Sequence, residues 1–168
     1  MSHIVKFLMD DHNRIRRSFS NYRRTPWDLD EGLNVCELLW VHLTLEQELV
    51  HPAIWDKLDK DMAQTAEAEE ALIHGLMTQI DKLDPQAPVL ARLMELLERA
   101  VARHIHTFER GILPALSAAV EDPFAMGSEA FRRWQELFNE RQPRTWEPMK
   151  KLANTGWGGG GRLANSGW

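Results

Sequence analysis

Four histidines and three glutamates stand where a helical apolar stripe calls for hydrocarbon: His12, His42 with Glu46, Glu70 with His74, and His104 with Glu109. Imidazole and carboxylate groups are costly in an apolar core unless they pair with each other or bind a cation. His42 with Glu46 and Glu70 with His74 are i,i+4 pairs, so the members of each share a helix face and can meet one ion or bridge two. A single histidine on such a face is more often a hydrogen-bonded core residue than a ligand. Four of them with three carboxylates on four successive segments favour a metal site. The competing reading, buried His–Glu ion pairs that set helix register, costs desolvation energy and seldom adds net stability.

The donor chemistry narrows the metal. A lone cysteine, Cys36, excludes a disulfide framework and a thiolate site, leaving nitrogen and oxygen donors. Seven groups are too many for one tetrahedral zinc and suit two octahedral ions that share carboxylates and keep one position open. Imidazole together with carboxylate favours iron or manganese over calcium or magnesium, and iron is the first choice. Manganese, zinc and a mixed pair stay open.

The elements that must position these groups follow from the apolar spacing at about 100° per residue. A first helix over roughly residues 3–24 carries Ile4, Leu8, Ile15 and Phe19 around His12, with His3 turned away. A second, roughly 30–58 after a cap at Asp28 or Asp30, centres His42 and Glu46 among Val35, Leu39, Leu45 and Leu49, with Trp40 and His51 on its other side. A third, roughly 62–83, holds Glu70 and His74 among Ala66, Ile73, Met77 and Ile80, and of Glu67, Glu69 and Glu70 only the last is central. A fourth, roughly 88–118 after Asp84-Pro85, places His104 and Glu109 on the margins of a stripe through Leu97, Val101, Phe108 and Ile112, with His106 outside it. Short connections between such helices predict an all-α, up-down antiparallel four-helix bundle over residues 1–120.

Beyond it, Pro123 and Gly127 break the pattern, and an accessory segment, 121–150, is expected to hold a shorter aromatic-rich helix at 128–142 that packs near Trp40 or Trp55. Residues 151–168 read as a flexible tail in which Leu-Ala-Asn-Thr-Gly-Trp157 and Leu-Ala-Asn-Ser-Gly-Trp168 flank a glycine run. Two copies of one apolar-anchored motif suit bivalent docking on a protein partner.

The whole is one domain with a tail: 168 residues, 43% hydrophobic. A net charge of -5 argues against a nucleic-acid partner. A charged helix from the third residue on fits neither a signal peptide nor a membrane span, so a cytoplasmic setting is expected.

Taken as an ordered set, His12, His42-Leu-Thr-Leu-Glu46, Glu70-Ala-Leu-Ile-His74 and His104-Ile-His-Thr-Phe-Glu109, with Pro52 and Pro114 each ten residues after a histidine, resemble the hemerythrin-like or histidine-histidine-glutamate cation-binding domain over about residues 3–118. The resemblance implies a non-heme di-iron centre in a four-helix bundle, bridged by Glu46 and Glu109. His12 and His42 would hold the iron with the open position, and Glu70, His74 and His104 the other. Glu70 departs from the oxygen carriers of the family, which place histidine there. An anionic oxygen ligand stabilises the ferric state and lowers the reduction potential, moving the site from reversible oxygen storage toward oxidase-like chemistry.

The first functional reading is therefore a di-iron protein that binds and redox-reacts with dioxygen, peroxide or nitric oxide, with a peroxidase-, catalase- or ferroxidase-like activity resting on the metals and no further acid or base residue. The alternatives are a non-enzymatic oxygen or iron sensor, an oxygen carrier, and a di-iron cargo docked by its tail motif into an encapsulin-type shell or onto a scaffold, an arrangement that some members of the family resemble.

Overall fold

Helix formation starts at Ile4, where the His3 Nδ1 accepts the Val5 N–H at 3.2 Å and caps α1 (Ile4–Arg24). Asp28 caps α2 (Leu29–Leu45) by accepting from Asp30 N, and Asp59 caps α4 (Lys60–Lys82) by accepting from Asp61 N and Met62 N. These side chains satisfy amide hydrogens that a helix start leaves without partners. The remaining helices are α3 (His51–Ile54), α5 (Val89–Thr107), α6 (Leu113–Ala119) and α7 (Pro123–Glu140). The computed structural model describes residues 3–26, 28–55, 58–84 and 86–140, and every regular element among them is helical. The repeated tail motif in residues 151–168, with its expected flexibility and docking role, lies outside the described residues, as do Pro143 and Pro148.

Two π-helical turns interrupt what the spacing predicts as uniform helices. Glu46–Val50 joins α2 to α3, and Phe108–Ile112 joins α5 to α6. Each follows a site histidine by four residues and precedes a proline, Pro52 or Pro114. Proline has no N–H, and its ring crowds the carbonyl four residues back. In a π turn the bonds run one residue further: His51 N–H reaches Glu46 O, and Leu113 N–H reaches Phe108 O. The ladder thus remains bonded beside each proline, and one extra residue is accommodated at the level of the site.

Two apolar clusters lie on either side of that level. One contains Ile15, Phe19, Val35, Leu39, Ile73, Ile80, Leu90 and Leu97, and the other Ile4, Leu8, Leu45, Ile54, Ala66, Phe108, Ile112 and Leu116. α1 runs from the second cluster to the first, α2–α3 from first to second, α4 from second to first and α5–α6 from first to second. Successive helices therefore alternate in direction, and His12, the His42–Glu46 pair, Glu70 and His104 each fall where their helix passes between the clusters.

α7 begins earlier than the expected 128–142. Pro123 does not break the chain but opens the helix, a position where its fixed φ fits and its missing N–H costs nothing. Asp122 Oδ1 accepts from Phe124 N at 3.1 Å and Ala125 N at 2.8 Å, and Gly127 is buried within the helix. α7 packs on α1 and α2, where Trp134 and Phe138 join Trp40 at the edge of the second cluster.

Candidate metal centre

Glu46 is the hub, fully buried at the end of α2 where the π turn begins. Its Oε1 faces His42 Nε2 at 3.1 Å and His12 Nε2 at 3.9 Å, whereas Oε2 lies 3.0 Å from His104 Nε2. The donor atoms fall into two groups that share this carboxylate: His12, His42 and Glu46, and Glu46, Glu70 and His104. All five residues are buried, and within each group the atoms lie within 4.8 Å of one another. The rings of His12 and His42 meet edge to face at a centroid distance of 4.9 Å.

The orientation of these rings is set by partners on their far sides. His42 Nδ1 donates to Asp11 Oδ2 at 3.0 Å, and Asp11 Oδ1 accepts from Arg14 Nη1 at 2.6 Å. His12 Nδ1 lies 3.1 Å from Glu109 Oε1, and Glu109 receives Arg16 Nη2 on both oxygens at 2.9 and 3.0 Å. Both chains run arginine, carboxylate, imidazole, and both leave Nε2 as the inward nitrogen. A carboxylate behind a histidine fixes its tautomer and makes it a better ligand.

His12 Nε2, His42 Nε2 and Glu46 Oε1 are buried without an aligned hydrogen-bond partner; the 3.1 Å approach of the last two lacks the angle of a bond. Buried polar atoms are nearly always bonded. Three unpartnered donor atoms around a common space, each backed by a fixed second group, fit a cation there.

The charges agree with this geometry. Burial disfavours the His42 imidazolium, but Glu46 and Asp11 outweigh it and raise its pKa to about 10. Burial likewise opposes ionisation of Glu46, yet His42 and His104 hold it well below the usual carboxylate range. Burial pushes His12 below the ordinary imidazole value against the pull of Glu46. Glu109 is lowered: burial opposes its charge, while Arg16 and His12 favour it.

The expected ligands therefore divide. His12, His42, Glu46, Glu70 and His104 come together. Glu109 stands behind His12 and pairs with Arg16, because Phe108 fills the inward slot of its π turn that Glu46 fills in the other. His74 is half-buried, with Nε2 3.4 Å from Gln47 Nε2. His51, which uniform helical spacing turns away from the site, instead reaches Glu70 Oε1 at 2.9 Å and stacks on Trp55 at 4.1 Å. The extra residue of the intervening π turn rotates it back by about one residue, roughly 100°.

Asp11, Arg14, Arg16 and Gln47 also escaped the spacing argument. Asp11 sits one position from the centre of the α1 stripe yet is 1% exposed. Its i,i+3 spacing to Arg14 was the available signal.

Comparison with known proteins places this arrangement. The family model described as hemerythrin HHE cation-binding domain matches residues 3–116. The crystal structure of a hemerythrin HHE cation-binding domain-containing protein from Mycobacterium kansasii superposes with a TM-score of 0.73, at 15% sequence identity, over 83% of this chain and 90% of that one. At that identity the likeness is one of fold. A search of curated proteins returned no match.

Proposed function

This chain belongs to the hemerythrin HHE cation-binding domain family, and from that premise we propose that it holds two iron ions on a shared carboxylate and uses them to bind and redox-react with dioxygen, peroxide or nitric oxide. The observation that carries the proposal is Glu46, whose two oxygens face different histidines from inside two donor groups. A single-ion site would gather its donors about one point. Here they gather about two.

In this reading the fold is the up-down four-helix bundle of α1, α2–α3, α4 and α5–α6, with α7 an added helix in the segment 121–150. His12, His42 and Glu46 would hold one ion and Glu46, Glu70 and His104 the other. Of the other expected ligands, His74 stands beside Gln47, and Glu109 stands behind His12 with Arg16 on both of its oxygens, so neither joins the two groups as placed. When bound, such a pair supplies a Lewis acid and two one-electron redox centres for a small ligand. Asp11 and Glu109 accept the Nδ1 protons of His42 and His12 and so keep Nε2 of each available. Phe108, fully buried against the rings of His104 and His12, excludes water from the second-cluster side. The Glu70 carboxylate favours the oxidised state of its ion, so oxidation by dioxygen is favoured over reversible storage.

None of the described helices is long and apolar enough to cross a membrane, and a cytoplasmic or shell-enclosed setting remains part of the proposal. Anaerobic titration with ferrous iron tests the central point. Saturation at two equivalents, falling to one or none in Glu46→Gln, supports the shared carboxylate. Saturation at one equivalent, or two retained by Glu46→Gln, contradicts it.

A further inference from the structure

The chain carries a net charge of -5, yet one cleft of about 530 Å³ between α1, α2 and α7 is lined by three arginines. Arg14, Arg17 and Arg24 reach it from one face of α1. Arg16, Arg23, Arg99 and Arg133 all pair with carboxylates elsewhere on the surface. Arg17 and Arg24 pair with none among the described residues. The carboxylate bonded to Arg14 is Asp11, sealed from solvent at 1% exposure, so it neutralises the guanidinium from behind. Opposite the arginines lie Leu38 of α2 and the rings of Trp134 and Phe138, tilted by 32° with centroids 4.6 Å apart.

Unpaired guanidiniums are forked donors matched to phosphate oxygens, and the volume is that of a small-molecule site. Charge on one wall and aromatic hydrocarbon on the other suit a ligand with an anionic end and a flat body. A nucleic acid would need a basic face far more extended than this cleft. We propose that this cleft binds a phosphate monoester of mononucleotide size, its phosphate on Arg17 and Arg24 and its planar body against Phe138 and Leu38, and that occupancy is relayed to the metal-binding layer through Arg14.

The relay is short. Arg14 lies 4.7 Å from the centre of the Trp134 ring, bonds Asp11 at 2.6 Å, and Asp11 bonds His42 Nδ1 at 3.0 Å. An anion in the cleft competes with Asp11 for Arg14. As Arg14 turns outward, Asp11 concentrates its charge on His42, which changes the imidazole as a ligand.

The test uses the full metal-free chain, so its outcome does not depend on the di-iron reading. Adenosine monophosphate is titrated by calorimetry, with adenosine and inorganic phosphate alongside. Saturable binding of the nucleotide, at least about tenfold tighter than either half alone and at least about tenfold weaker in an Arg17→Ala/Arg24→Ala variant, supports the site. No saturable binding, or binding indifferent to the two substitutions, overturns it, as does saturation by polyglutamate in place of the nucleotide. The relay is read from the His42 imidazole nitrogen resonances. They should shift on nucleotide binding in the parent chain and stay put in Arg14→Gln; resonances that do not move, or that move equally in both, overturn the coupling.

Discussion

Some side chains of the polar layer face the two donor groups, and others hold those side chains still. Asp11 and Glu46 are both buried carboxylates beside His42, but on opposite sides of its ring. Asp11→Asn keeps shape and removes charge behind Nδ1; the ion held by His12 and His42 should bind about 10–100-fold more weakly, read by competition with a chelator, while the ion on Glu70 and His104 is little changed. Equal weakening of both ions would mean that Asp11 supports the fold and not the ligand. Protonation gives a second prediction. His42 is raised from 6.5 to about 10 in the metal-free chain, so its contribution to stability is complete below pH 6.5 and is lost as pH rises toward about 10. Glu46 is depressed below 4.5, so its contribution is complete above that value and lost as pH falls below it. As far as these two groups decide, metal-free protein melts highest between about pH 4.5 and 6.5. Metal affinity runs the other way, rising with pH because the ion must displace the His42 proton. Thermal melts and metal titrations across pH check both slopes, and a metal-free melting temperature that climbs from pH 6.5 to 9 would contradict the first. His12, His42, Glu46, Glu70 and His104 were legible in the sequence because each interrupts an apolar stripe. Arg14 and Arg16 were not, since an exposed arginine one turn from a ligand looks like any solvated charge until its carboxylate partner is seen.

The elements show why helical spacing succeeded only up to the π turns. A uniform 100° step turns His12, His42, Glu46, Glu70 and His104 toward one another, as the structure has them, because no irregularity precedes them on their helices. After Glu46 the extra residue in the turn changes the phase, which brought His51 to Glu70 against expectation. Pro52 and Pro114 were visible as an equal spacing, but the turns that they accompany were not, because a π turn carries no composition signal of its own. Pro52→Ala restores an N–H that can bond four residues back and lets the turn relax toward α-helix. Circular dichroism should change little, whereas affinity for the ions that share Glu46 should fall by about tenfold as its carboxylate loses its aim. Unchanged affinity would show that the turn does not set the position of Glu46. Likewise, Pro123 was legible as a discontinuity, but whether a proline ends a helix or opens one depends on the residue before it, here the capping Asp122.

For the molecule as a whole, two apolar clusters clamp a polar layer that the metal-free chain satisfies only in part. Ions that bind the folded layer and not the unfolded chain should raise the melting temperature. At a thousandfold excess over the dissociation constant the gain is about 4 kcal/mol for each ion, or roughly 8–16 °C per ion for a chain of this length. No shift between chelator-treated and iron-loaded protein would mean that the layer is an ion-pair network. All-helical architecture and the metal-binding level were readable from periodicity; the cleft between α1, α2 and α7 was not, since it exists only where three helices meet. Iron content per chain and the visible spectrum, taken after purification in air, after anaerobic reduction and after re-exposure to oxygen, separate a redox-active di-iron layer from every other reading. Two irons per chain and prompt return to the oxidised spectrum on re-exposure are expected. One iron or none, or a pair that oxygen leaves reduced, would contradict the di-iron reading.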